Sequence, residues 1–240
     1  VEWLSITLQM YRDVLVRAAR LTATNWPVLG SIFVYWALMT GATLVLGVLG
    51  VFQGPLALVG GLALNVLRAA CFASFLYLVE MLVRTSRVTL DDFRRSFGVY
   101  LGDVIGVMFV FWVISMLATP LLAATPQGWL YLALLQIVFF IVFNAIPELI
   151  YLGHHSSLAL LSESYQFVAG NWIEWFPATL FAAALMYAVL HLPGIDRIPF
   201  LDDALLYLLL YFAMVLRGLL FLELYNSSYR SRVFRYRSRS

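Results

Sequence analysis

The stretch Arg87–Trp112, RVTLDDFRRSFGVYLGDVIGVMFVFW, decides how the chain is read, because a short charged segment runs straight into an apolar tract. Thr89 and Asp92 form a capping-box-like start. Phe93, Phe97 and Tyr100 recur three to four residues apart and so share one helical face, while Arg94 and Arg95 point elsewhere. The apolar run that follows, about 99–123, is long enough to cross a hydrocarbon core of about 30 Å, which takes roughly 20 helical residues. The unit is expected to be a surface helix leading into a transmembrane span.

Outward from this unit, the composition agrees. Hydrophobic residues make up 63% of the 240, charged residues only 12%, and the mean hydropathy is +0.90. A water-soluble domain of this size would expose large apolar patches with such a composition. An all-α, polytopic membrane protein is expected, with six spans at about 26–52, 56–83, 99–123, 129–152, 175–192 and 204–225. They form a single membrane domain over 1–229, followed by a basic tail over 230–240.

Two further amphipathic segments flank the central one. In residues 2–21, Leu4, Leu8, Tyr11, Leu15 and Ala18 fall on one face, with Gln9, Arg12, Asp13, Arg17 and Arg20 elsewhere. Asp13 and the arginines interrupt any signal-peptide core and no small-residue cleavage pattern follows, so a helix lying along the membrane is expected. After His154 and His155, Leu158, Leu161, Tyr165, Val168 and Trp172 line one face of a third such segment.

The three units look related. Laid without gaps, 21–36 and 97–112 match Val28 with Val104, Gly30 with Gly106, Phe33 with Phe109, Val34 with Val110 and Trp36 with Trp112. Ala23, Asn25 and Trp26 fall on Ala169, Asn171 and Trp172. Each even-numbered span ends with a glutamate before a polar exit, at Glu80, Glu148 and Glu223. A threefold repeat of surface helix plus helical hairpin is expected. Shared residues arising by composition between apolar tracts are the alternative.

All fifteen basic residues are arginine, which suits a GC-rich bacterial genome. With six spans, the surface helices and both termini share one side, and that side holds Arg12, Arg17, Arg20, Arg84, Arg87, Arg94, Arg95 and the five tail arginines. The opposite loops hold Arg197 against Asp196, Asp202 and Asp203. The positive-inside rule makes both termini cytoplasmic, in a bacterial inner membrane.

The alternation of an Asn-Trp entry (TATNWPVL, VAGNWIEW) with helical hairpins resembles the bacterial six-helix families related to the membrane domain of membrane-bound glycerophosphodiester phosphodiesterases. That resemblance implies a membrane domain without the catalytic part, since the soluble phosphodiesterase barrel and its metal-binding carboxylates have no counterpart here. No functional residue carries over from it.

Several residues are candidates for chemistry. Arg68 and Arg217 sit near the middles of the second and sixth spans, where an ionised side chain is expensive and points to a protein interior or a wet cavity. Glu80, Asp103, Glu148 and Glu223 are the available counter-charges. Glu80 is twelve residues from Arg68, about 18 Å along a helix, so partners must come from other helices. Structural ion pairing or snorkelling is the expected role of these charges; the functional alternative is that Arg68, Arg217, Glu80, Asp103 and Glu148 line a pocket for an anionic headgroup or solute.

Glu148, Tyr151 and His155 share a spacing that would put them on one face, but a catalytic zinc needs three protein ligands. His191 is a candidate axial ligand for a haem or pigment, or a hydrogen-bonded helix-end residue. HExxH, GxSxG and P-loop signatures are missing, and Cys71 stands alone. No enzyme activity, metal or cofactor is expected. Arg94, Arg95, Arg235 and Arg237 would meet the membrane surface or a partner, and anionic lipid headgroups suit them better than nucleic acid. The expected function is a scaffold or accessory subunit among other membrane protein subunits. A transporter or channel for a small anionic solute or lipid, using Arg68 and Arg217, is the alternative.

Overall fold

A computed structural model of the chain describes residues 2–54, 56–153, 157–191, 201–225, 227, 231, 234 and 235. Among them every regular element is helical: α1 (Glu2–Thr24), α2 (Val28–Val48), α3 (Leu56–Thr85), α4 (Leu90–Ser96), α5 (Leu101–Ala123), α6 (Gly128–Val142), α7 (Ile146–Glu148), a π-helical turn (Leu149–Gly153), α8 (Ser157–Leu190) and α9 (Leu201–Tyr225). Six stretches are long and apolar enough to cross a membrane: α2, α3, α5, Gly128–Gly153, Ala159–Leu190 and Asp203–Tyr225. A multi-pass membrane protein is therefore the architecture. Its residues group into two compact units.

The first unit comprises Val1–Phe33, Leu78–Thr89 and Asn171–Ser240. Here α1 packs along α9. The α1 row turned inward is Ile6, Met10, Val14, Ala18 and Leu21, whereas Leu8 and Val16 stay exposed. Of the apolar face read from the sequence, Ala18 is buried and Leu8 is exposed. Both rows are apolar, and contact with α9 selects between them. The Tyr11 hydroxyl donates to the Glu174 carbonyl, and burial pushes the phenol up to about 12, so it remains a neutral donor at physiological pH. Tyr211, fully buried in α9, donates to the Asn25 carbonyl at 3.2 Å and ties the start of α2 to the same core.

The second unit comprises Val34–Tyr77 and Leu90–Gly170. The helix begun at Thr89 is only the seven residues of α4, with Asp91 and Asp92 in its first turn where they complement the helix dipole. Gly98 then adopts φ +98, a conformation open to glycine, and the chain turns into α5. The turn splits the expected aromatic face. Phe93 and Phe97 both pack on Tyr35, at 6.1 Å each between ring centroids, while Tyr100 moves with α5 to Tyr77 at 6.4 Å. The Tyr35 hydroxyl bonds the Ser74 hydroxyl at 2.6 Å, and Ser74 bonds Ser96, forming a fully buried polar chain. Helices α5 and α6 pack together, with Phe111, Phe139 and Phe143 meeting at 5.3–5.6 Å.

The fourth span is broken. Pro147 has no N–H to donate to Phe143 and its ring would clash with that carbonyl, so α6 stops at Val142. Ile146 instead bonds the Phe143 carbonyl at 3.2 Å, which leaves the Val142 carbonyl without its helical partner. The Ser164 hydroxyl of α8 fills that place at 2.9 Å. Non-helical backbone at membrane depth survives only when shielded by protein. Ala145, Glu148, Leu149 and Tyr151 are accordingly fully buried.

The expected third surface segment and fifth span are one long helix, α8, with a kink at Asn171 (φ −129°, ψ 18°). Before the kink, Leu160, Ser164, Phe167 and Val168 turn inward while Tyr165 and Trp172 are exposed, so of the apolar face read from the sequence Val168 is buried and Tyr165 and Trp172 are not. The buried row is the one that contains Ser164, and the Val142 carbonyl requires it.

Replacing Ser164 with Ala should destabilise the detergent-solubilised protein by about 0.5–1.5 kcal/mol, because a part-buried carbonyl loses its donor, whereas Ser164→Thr should retain most of the stability. Thermal unfolding followed by tryptophan fluorescence measures both.

Candidate functional site

The five residues of the alternative reading, an anionic-ligand pocket, divide between the two units: Glu80 and Arg217 belong to the first, Arg68, Asp103 and Glu148 to the second. Each has a distinct setting.

Arg217, half-buried on α9, lies over the ring of Trp175 with its guanidinium carbon 4.9 Å from the centroid, and donates to the Thr179 hydroxyl at 3.3 Å. Trp175 and Thr179 are four residues apart on α8 and so present the ring and the hydroxyl on one face. Trp175 is fully buried and is met edge-on by Phe221 at 6.3 Å. A flat cation resting on an aromatic face needs no aqueous cavity, and the contact contributes about 0.5–2 kcal/mol. The sequence reading missed Trp175 and Thr179. Their four-residue spacing was the available signal, and such a spacing recurs by chance along any aromatic-rich helix.

Glu80 pairs with Arg84 one turn later, Oε1 to Nε at 2.9 Å, with the carboxylate side chain 7% exposed. Glu223, at the corresponding place at the end of α9, pairs with Arg235 at 2.6 Å and so draws part of the tail back to the helix end. Two of the three span-ending glutamates thus hold an arginine. The third, Glu148, is fully buried beside the break at Pro147. His154 and His155, which the sequence associated with it, lie outside the described residues, as do Arg237 and the loop 192–200.

Asp103 is half-exposed in the first turn of α5, where a carboxylate complements the helix N-terminus. Arg94 reaches Asp91 only at 3.9 Å, with both side chains more than 70% exposed, a geometry worth about 0–1 kcal/mol. His191 is exposed at the end of α8, with Nδ1 2.9 Å from the Tyr187 carbonyl and its ring stacked on Tyr187 at 3.9 Å.

Arg68 differs from all of these. It stands twelve residues into α3, about 18 Å from the start of that helix, and its side chain is exposed. Among the described residues it makes no hydrogen bond or ion pair. Asn65, three residues earlier on the same side of α3, is exposed as well and turns its amide back to the Gly61 carbonyl at 2.9 Å. Leu58, Leu62 and Phe72 continue this outward face.

Comparison with known proteins adds no relative: no family model, no curated protein and no solved structure matches the chain.

Arg217→Lys should lower stability by about 0.5–2 kcal/mol, because an ammonium loses the planar stacking on Trp175, while Arg94→Ala should stay within about 0.5 kcal/mol of the parent. Denaturation in a fixed detergent reads the difference.

Proposed function

We propose that the chain is a non-enzymatic scaffold or accessory subunit of a larger bacterial inner-membrane assembly, and that the Asn65–Arg68 face of α3 is where another subunit docks. The observation that carries this reading is Arg68. On insertion scales an arginine at the centre of a span costs about 2.5–3.5 kcal/mol, and a partner helix offering a carboxylate or carbonyls removes most of that cost. The other exposed spans fit the same reading: 61% of the apolar window of α3 and 50% of that of α9 are buried, against 11% for α5 and 17% for Gly128–Gly153. Such open faces require lipid or protein cover.

The finer architecture belongs to the proposal too. Element order supports a threefold repeat, since α1, α4 and the first part of α8 each precede a pair of apolar spans. Exposed rows on two of these helices, Leu8 with Val16 and Tyr165 with Trp172, suit a surface helix that faces protein on one side and the lipid interface on the other. Arginine distribution supports cytoplasmic termini. Kinship with the six-helix families related to phosphodiesterase membrane domains is compatible with a sequence that carries no HExxH, GxSxG or P-loop signature.

Mild extraction of the native membrane followed by mass spectrometry tests the docking face. The wild-type chain should bring down a stoichiometric set of membrane proteins, and Arg68→Leu should lose them at unchanged expression, with Arg68→Lys intermediate. A wild-type chain that isolates alone overturns the reading. If Arg68→Leu instead preserves assembly and abolishes uptake of an anion, the chain is a transporter.

A further inference from the structure

A second charged feature lies in the first unit. Between α1 and the segment that follows α3 there is an open cleft of about 800 Å³, lined by Arg12, Arg17 and Arg20 from α1 and by Arg87 from the connector, with Asp13 the one carboxylate among the lining residues. Four guanidiniums against one carboxylate leave an excess of three positive charges. Among the described residues none of the four guanidiniums makes a hydrogen bond or ion pair with another protein group. By contrast, Arg84, Arg94 and Arg235 each have a carboxylate nearby.

The walls are anchored. Asn25 donates to the carbonyls of Leu21 at 3.2 Å and Ser86 at 3.3 Å, and accepts from buried Tyr211. Ser86 is held at φ +62, a left-handed conformation that a non-glycine residue adopts only when its surroundings impose it. The cleft also lies where two candidate spans end: α2 begins at Val28, just after Asn25, and α3 ends at Thr85, just before Ser86. That is the depth of lipid headgroups, and Trp26 beside it is 67% exposed, as suits a residue at the interface.

We propose that this cleft binds the headgroup of an anionic phospholipid carrying two phosphates. Arg12 and Arg20 are eight residues apart, about 12 Å along α1, which exceeds one phosphate and matches two joined by a short linker. Guanidiniums recognise phosphate oxygens in pairs, and Val16 on the rim offers apolar surface to the first carbons of the acyl chains. The inference rests on the six-span membrane reading and is independent of the docking face on α3.

The test uses the full purified chain in detergent, with lipid retention read by native mass spectrometry. The probes are cardiolipin, phosphatidylglycerol, phosphatidylcholine and soluble glycerol bisphosphate. Cardiolipin should be retained about tenfold or more over phosphatidylglycerol, and Arg17→Gln/Arg20→Gln should abolish that preference, as should Arg12→Gln/Arg87→Gln, which draws on both walls. All four side chains are exposed, so both variants should fold, as a monodisperse elution profile would show; Arg94→Gln/Arg95→Gln should retain cardiolipin like the parent. Equal retention of the two anionic lipids, or retention unchanged in both double variants, overturns the proposal. Glycerol bisphosphate binding as tightly as cardiolipin would make the ligand a soluble one and overturn the lipid assignment.

Discussion

In hydrocarbon there is no water to satisfy a backbone N–H or C=O, so each polar group of a spanning segment must find its partner within the protein. Helices meet that demand locally, which is why the described structure is helical throughout. A place where a spanning segment abandons the regular ladder shows the demand clearly. Pro147 breaks the fourth span, the Val142 carbonyl loses its partner, and Ser164 from another helix replaces it. The packing of α8 in the second unit is therefore tied to a single proline.

The same scarcity of solvent sorts the charges. Glu80, Glu223 and Arg217 each find a counter-charge, ring or hydroxyl inside the first unit, and their polarity is used up in holding helix ends and packing. Arg68 and the four cleft arginines do not. Two kinds of outward-looking polarity result, one part-way along a spanning helix and one at the level of span ends. The first carries the proposed docking helix and the second the proposed polyanionic headgroup.

Six helices long and apolar enough to span were legible because an apolar run of about 20 residues is a direct imprint of membrane thickness. The expected spans at 56–83 and 204–225 lie within two residues of Leu56–Thr85 and Asp203–Tyr225. Helix faces were not legible. In water the apolar side of a helix must be the inner side, but lipid tails are as apolar as leucine, so periodicity does not distinguish protein-facing from lipid-facing rows. In α1 Met10, Val14 and Ala18 are buried while Leu8 stays exposed, and in α8 Ser164, Phe167 and Val168 are buried while Tyr165 stays exposed. Candidate site residues were recognisable by charge alone, yet charge does not disclose partners. Nothing in the sequence around Arg217 announced that Trp175 would lie beneath it, and the cleft joins α1 to a residue more than sixty positions later.

The central claim is that six helices cross the bilayer, with α1, the α3–α4 connector and the tail on one side. Single-cysteine labelling with a membrane-impermeant thiol reagent tests it most directly, on a Cys71→Ala background that removes the lone native thiol. Cysteines placed at Ser5, Ser86 and Ser227 should react only when the cytoplasmic face is opened, and those at Gln53 and Thr125 should react from outside in intact cells. Labelling of Ser86 and Gln53 from the same side would mean that α3 does not cross, and the account would fail.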